Sequence, residues 1–317
     1  MSESPLTVVR YDAARRDEWN RFIAESKNGT FLFDRGYMDY HADRFHDHSL
    51  LFFDGAKLLA VLPASQNADG DLVSHGGLTY GGIISGRAMK TAAMLRVFDA
   101  MRDYARSASI RKLIYKAIPS IYHDVPAEED LYALFRANAR LYRRDVASAI
   151  DPSLKLPYTK GRQYCVNKSR KLGLTIGRSE EFAAFMVVEE EHLRTKYGVA
   201  PVHSAAELEM LARRFPDNIK LFTAHKEDRL VGGVVIYESR GVAHAQYIAA
   251  TDEGKELSAL DLITDTLLRD VYAQKRWFDF GISTEQQGRQ LNEGLIENKE
   301  SYGARAVVYD FYELAFD

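Results

Sequence analysis

The sequence predicts an α/β fold with mixed sheets (α+β), built as two tandem halves of similar design. Three observations carry that expectation. The pattern strand, helix, hairpin, strand, helix, strand occurs once in each half. Each half holds a tight turn between two apolar runs, at Asp54-Gly55 and at Glu227-Asp228. A chain of 317 residues has room for two domains, each with a sizeable core.

In the first half, residues 6–11 read as a short strand. Residues 14–26 read as an amphipathic helix with Trp19, Phe22 and Ile23 at helical spacing, stopped by Asn28-Gly29. The runs 49–53 and 57–63 flank the first hairpin turn, and a further strand begins at Leu72. A helix over 91–107 puts Leu95, Phe98, Met101 and Tyr104 on one face, followed by a strand at 112–118 and a helix at 128–138. The second half opens with a strand at 174–176 and helices at 180–197 and 205–215. A hairpin (219–225 with 230–237) and a third strand (242–250) come next. A helix over 257–274, a strand at 277–282, a short helix and a closing strand from Ala306 finish the chain. Irregular patterning at 153–157 sets the boundary near Asp151-Pro152, giving domains 1–152 and 153–317.

Composition is that of an ordinary globular protein, 46% apolar and 27% charged, and the formal charge of −3 gives no global attraction to nucleic acid or anionic lipid. The single cysteine, Cys165, rules out an intramolecular disulfide and fits a reducing, cytoplasmic location. The opening Met1-Ser-Glu-Ser-Pro-Leu6 lacks the basic and apolar regions of a secretory signal, and no run is long enough to span a membrane. His46-x-His48 is an isolated pair without a cysteine partner, so no metal is expected.

The most informative stretch is Asn292-Glu-Gly-Leu295-Ile-Glu-Asn-Lys299-Glu-Ser-Tyr302-Gly303, a short helix between two strands. It resembles the closing helix of GNAT-superfamily N-acetyltransferases, Asn-x-x-Ala-x-x-Leu-Tyr-x-x-x-Gly-Phe, with Leu295 at the Ala and Lys299 at the Tyr. Two further stretches strengthen the resemblance: Trp19 to His41, and His75-Gly-Gly-Leu-Thr-Tyr80-Gly-Gly82. With Phe278-Asp279-Phe-Gly281 they resemble tandem-GNAT, FemAB-related acyltransferases, of the kind that act on nucleotide-linked amino sugars for surface polysaccharide. The resemblance implies two GNAT-like domains, with the acceptor in the first and acyl-CoA as cosubstrate in the second. It implies direct attack of an amine on the thioester, without metal. The partners it implies are small molecules rather than nucleic acid or membrane, and it leaves room for a homodimer.

Candidate site residues follow from that implication. The loop Thr251–Ala259 stands where the cofactor pyrophosphate would sit: Gly254 for a positive φ, Lys255 for counter-charge, Leu257, and Ser258 as helix cap. Asn292 either holds the thiol end of the cofactor or caps its helix. Lys299 replaces the Tyr that often protonates the departing thiolate; it is either a solvated helix lysine or, turned inward toward the cofactor, one whose pKa would fall toward neutrality. Tyr302 is a second candidate acid. Candidate bases are Asp279 and Glu285 first, then His244, Glu293 and His75. His75, Tyr80 and Tyr37 can wall a substrate site, or simply build a turn and pack the core. Seven basic residues between Lys155 and Arg178, with Arg162 and Lys168 foremost, can meet a diphosphate, form a tRNA-binding surface or lie solvated. Two competing functions remain: Fem-type aminoacyl transfer from charged tRNA to a peptidoglycan precursor, and a non-catalytic GNAT-fold binding module.

Overall fold

A computed structural model describes residues 5–154 and 156–316. Residues 1–4, on which part of the leader reading falls, and Lys155 lie outside the described residues. The chain forms two compact units, Met1–Val146 with Thr284–Gln290 and Val308–Asp317, and Ala147–Ser283 with Leu291–Val307.

In the first unit, strands β1 (Thr7–Arg10), β2 (Leu50–Asp54) and β3 (Lys57–Leu62) make an antiparallel sheet that Ile84–Ser85 extends. Helix α1 (Arg16–Glu25) buries Trp19 and Ile23. Helix α2 (Thr91–Ser107) turns Met94, Val97, Phe98 and Met101 into the core that Leu50, Phe52, Leu62 and Leu113 share. Each such side chain, fully buried, contributes roughly 1.5–3 kcal/mol. Strand β4 (Lys112–Lys116) pairs with the end of the chain, Phe311 opposite Lys116, and helix α3 (Glu129–Arg136) follows.

Strand β5 (Arg140–Ile150) corrects the sequence reading, which left this segment unassigned. Consecutive charges at Arg143, Arg144 and Asp145 hide its period-two pattern. Those charges are neutralised locally: Arg144 grips Asp310 with both Nε (2.6 Å) and Nη2 (2.7 Å), and Arg143 pairs with Asp145 at 2.7 Å. The two units divide between Val146 and Ala147, inside this strand, rather than in the irregular stretch after Pro152.

The second unit opens with helix α4 (Lys160–Lys171), strand β6 (Leu174–Ser179), and helices α5 (Phe182–Tyr197) and α6 (Ala205–Arg214). Ser204 and Glu207 close a capping box at the start of α6. Strands β7 (Ile219–Lys226), β8 (Arg229–Glu238) and β9 (Val242–Ala250) form an antiparallel meander with β6. Helices α7 (Asp252–Glu256) and α8 (Ala259–Thr266) precede strand β10 (Trp277–Ile282), helix α9 (Glu293–Glu300) and strand β11 (Arg305–Ala315). The helix expected over 257–274 is broken: Ser258 takes a left-handed φ of +57° between α7 and α8, and a π turn occupies Leu267–Val271. Val234, Ile236, Ile263, Leu267 and Phe278 centre the core of this unit.

Candidate active site

Strands β9 and β10 run parallel but pair for only three steps, Val242 with Trp277, Ala243 with Phe278 and His244 with Asp279. Beyond His244, β9 continues to Ala250 with its other edge held by β8. Its register shifts there: Ile236 faces Ala245 and Val235 faces Tyr247, so Gln246 is an extra residue. Such a bulge twists a strand away from its neighbour. Strand β10 also shifts register, against β5 between Asp279 and Ile282, where Gly281 adopts φ +71°. The two strands therefore fork, and His244 and Asp279 are the last paired step.

At the fork His244 Nδ1 lies 2.8 Å from Asp279 Oδ2, and Asp279 Oδ1 accepts the Gly281 N–H at 2.8 Å. Asp279 is fully buried, whereas the His244 side chain stays 14% exposed. A carboxylate on the Nδ1 side favours the tautomer protonated there and leaves Nε2 as the basic nitrogen. Lys299 approaches Gly281 from α9, donating to the carbonyls of Gly281 (2.9 Å) and Ile282 (2.7 Å). A Cβ on Gly281 would sit 3.2 Å from His244 Cε1, so this backbone is held between the lysine and the imidazole. Burial lowers the Lys299 pKa to about 8, against the opposing pull of the Asp279 charge.

A cleft of about 790 Å³ opens in this unit, walled by Ile248, Phe280, Asn292, Leu295 and Lys299 and by the α7–α8 junction from Gly254 to Asp261. Ser258 makes no side-chain cap, so the first N–H groups of α8 lack that partner where they meet the cleft. An uncapped helix start favours an anion. Gly254 does not use a positive φ. Its role is close approach, because a Cβ there would lie 1.8 Å from the Val231 carbonyl oxygen. Lys255 lines the cleft and pairs with Asp252 at 2.8 Å. Leu257 packs against the core and gives its N–H to Glu253, so it does not join the cleft wall. Asn292 caps α9 by accepting the Leu295 N–H at 3.1 Å.

Other sequence candidates fall elsewhere. Asp279 faces neither solvent nor cleft, because β10 is buried on both sides, Phe278 and Phe280 included. Glu285 is exposed and belongs to the first unit, while Glu293 is exposed in the first turn of α9. Tyr302 stacks on Phe280 and lies under the Arg162 guanidinium, 4.1 Å from its ring centre; burial first, then Asp261, raises its pKa, which argues against an acid role. Arg162 also reaches Ser301 Oγ (2.8 Å) and ion-pairs with Asp261. Arg170 pairs with Asp265, Lys168 caps α7 through the Glu256 carbonyl (2.7 Å), and Arg178 reaches the Pro216 carbonyl. Much of the basic stretch is thus committed internally.

In the first unit the glycine-rich run is a pinned turn. Lys116 Nζ holds the carbonyls of His75, Gly76 and Leu78. His75 is buried, and burial first, then His41, lowers its pKa to about 3, so it is neutral and unsuited to a phosphate. Tyr80 packs on Tyr122 at 4.5 Å, and Tyr37 on Phe31 and Tyr40; both are core aromatics. Sequence reasoning missed Glu189, His192 and Lys196, which line the cleft from α5. Their spacing of three and four residues on one helix face was the available signal.

Residues 160–287 match the acetyltransferase (GNAT) domain family. The whole fold is similar to FemX, with a TM-score of 0.65 at 11% identity over 96% of each chain. It is similar to the C-terminal domain of a putative lysylphosphatidylglycerol synthetase from Agrobacterium fabrum, with a TM-score of 0.62 at 11% identity over 96% of this chain and 92% of that one. L-PGS from Bacillus licheniformis gives 0.62 at 12% identity, over 95% and 91%. No curated protein matches the sequence. Residues 160–287 thus form a domain of the GNAT acetyltransferase type, and the chain shares the fold of FemX. Among the described residues no cluster could hold a metal ion, and no helix is long and apolar enough to cross a membrane.

Proposed function

We propose that the protein is an acyl-CoA-dependent N-acyltransferase whose chemistry takes place where β9 and β10 part. The fork at His244 and Asp279 carries this reading. The surroundings fit a coenzyme thioester: an unpaired edge of β9 for the amide-bearing arm, an apolar wall of Ile248 and Phe280, and the start of α8 with Lys255 for the phosphates. When bound, the thioester supplies the acyl group. His244, held by Asp279, takes the proton from the attacking amine. Lys299, with its pKa lowered to about 8, is matched to protonate a departing thiolate near neutral pH. The acceptor is the amine of a nucleotide-linked amino sugar, as the family resemblance implies, and the product would serve surface polysaccharide in the cytoplasm.

Fem-type transfer from charged tRNA is the competing reading, supported by the likeness in fold to FemX. The ion pairs that occupy Arg162 and Arg170 weigh against an RNA surface at that stretch. Calorimetry with CoA, followed by thiol release with a panel of amino-sugar nucleotides, tests the proposal. No CoA binding at millimolar concentration would remove it, and tRNA binding at low salt without CoA binding would favour its competitor.

A further inference from the structure

Glu189 is only 4% exposed, yet it lines the cleft from α5. Its Oε2 has no hydrogen-bond partner among the described residues. Burial alone raises its carboxyl pKa to about 7. The other charged groups on the cleft wall are His192 and Lys196 of α5, Lys255, Asp261, Arg162 and Lys299. Of these, Arg162 is engaged by Asp261, Lys255 by Asp252 and Lys299 by two carbonyls. A buried carboxyl with one oxygen unpaired does nothing for the resting protein, since ionising it there is costly. It becomes useful when a cation arrives, because opposite charges attract strongly in a low-dielectric site.

We propose that Glu189 receives the ammonium group of the acyl acceptor, so that the acceptor is a primary amine that enters in its charged form. This rests on the acyltransferase reading and names the group that selects the amine. Glu189 acts as a binding and specificity residue; His244 takes one ammonium proton to free the lone pair, and the second, released on attack, replaces the proton that Lys299 gives to the thiolate. Binding an ammonium stabilises the ionised carboxyl and expels its proton. With a resting pKa of about 7, amine binding at pH 7 releases up to about half a proton.

The test uses the full chain saturated with CoA. Glucosamine is titrated against glucose, and ethanolamine against ethylene glycol, by calorimetry in two buffers of different ionisation enthalpy. The expected result is that at least one amine binds with proton release while its hydroxyl counterpart does not. Glu189→Gln should weaken that amine at least tenfold and abolish the release, with CoA affinity unchanged. Carbon NMR of the wild-type Glu189 carboxyl, which should shift on amine addition, gives the same answer if the variant fails to fold. The inference fails if CoA binds but neither amine does, or if Glu189→Gln binds the amine equally well. Failure of the wild type to bind CoA would instead sink the acyltransferase reading, and this inference with it.

Discussion

His244 and Asp279, 35 residues apart in sequence, meet at 2.8 Å on the last paired step between two strands that then separate. The carboxylate cannot reach a substrate itself, since it is fully buried and also holds the Gly281 N–H. Its chemical use is to orient the imidazole. Asp279→Asn and His244→Gln should therefore each lower kcat by about 100-fold or more. The double variant should be little worse than the worse single one, because the pair acts as a unit. Steady-state thiol release measures both effects, and strictly multiplicative losses would separate the two residues.

Lys299 gives a pH signature. An acid with a pKa of about 8 must be protonated to work, so kcat should decline as pH rises through about 8. Lys299→Met should lower kcat and remove that limb. The same shift appears in stability with a defined sign. The folded pKa lies below the ordinary lysine value of 10.5, so the unfolded chain binds the proton more tightly between about 8 and 10.5. Relative to Lys299→Met, the wild type should gain up to about 3 kcal/mol across that window. Denaturant melts at both ends of the window decide it.

Gly254 is confined by the Val231 carbonyl oxygen, 1.8 Å from where a Cβ would stand. Gly254→Ala should push α7 from β8, cost about 1–3 kcal/mol and weaken CoA binding, since α7 leads directly into the start of α8. Thermal melts with and without CoA should show both losses. An unchanged melting temperature would mean that the contact is slack.

His75 provides the acid-side counterpart. Its folded pKa of about 3 lies below the ordinary 6.5, so the stability it contributes is complete above about 6.5 and is lost as pH falls toward 3. His75→Gln should flatten stability over that interval while leaving CoA affinity intact, a result incompatible with a role for His75 in binding phosphate.

Local signals made much of this architecture legible. The helix at Thr91–Ser107 and the hairpin turns at Asp54-Gly55 and Glu227-Asp228 follow from periodicity and turn chemistry. The Asn292 helix could also be placed from the resemblance it carries, but whether Lys299 turns inward or lies solvated is decided only by its burial in the fold. Strand pairing could not. Only the parallel register of β9 and β10 shows that His244 and Asp279 are partners, so sequence reasoning ranked Asp279 with Glu285, which lies in the other unit. Gly254 was noticed for its backbone freedom, but its actual constraint is a carbonyl more than twenty residues away. Internal pairing of the Arg162 and Arg170 charges likewise depends on aspartates of α8 that sequence distance conceals.

The most direct measurement is amide hydrogen exchange of the full chain with and without saturating CoA. The account predicts that amides of residues 245–250 in β9 and 280–282 in β10 slow on addition of CoA, together with those at the start of α8, while strands of the first unit do not change. CoA binding that leaves the fork amides exchanging at their free rate would contradict it.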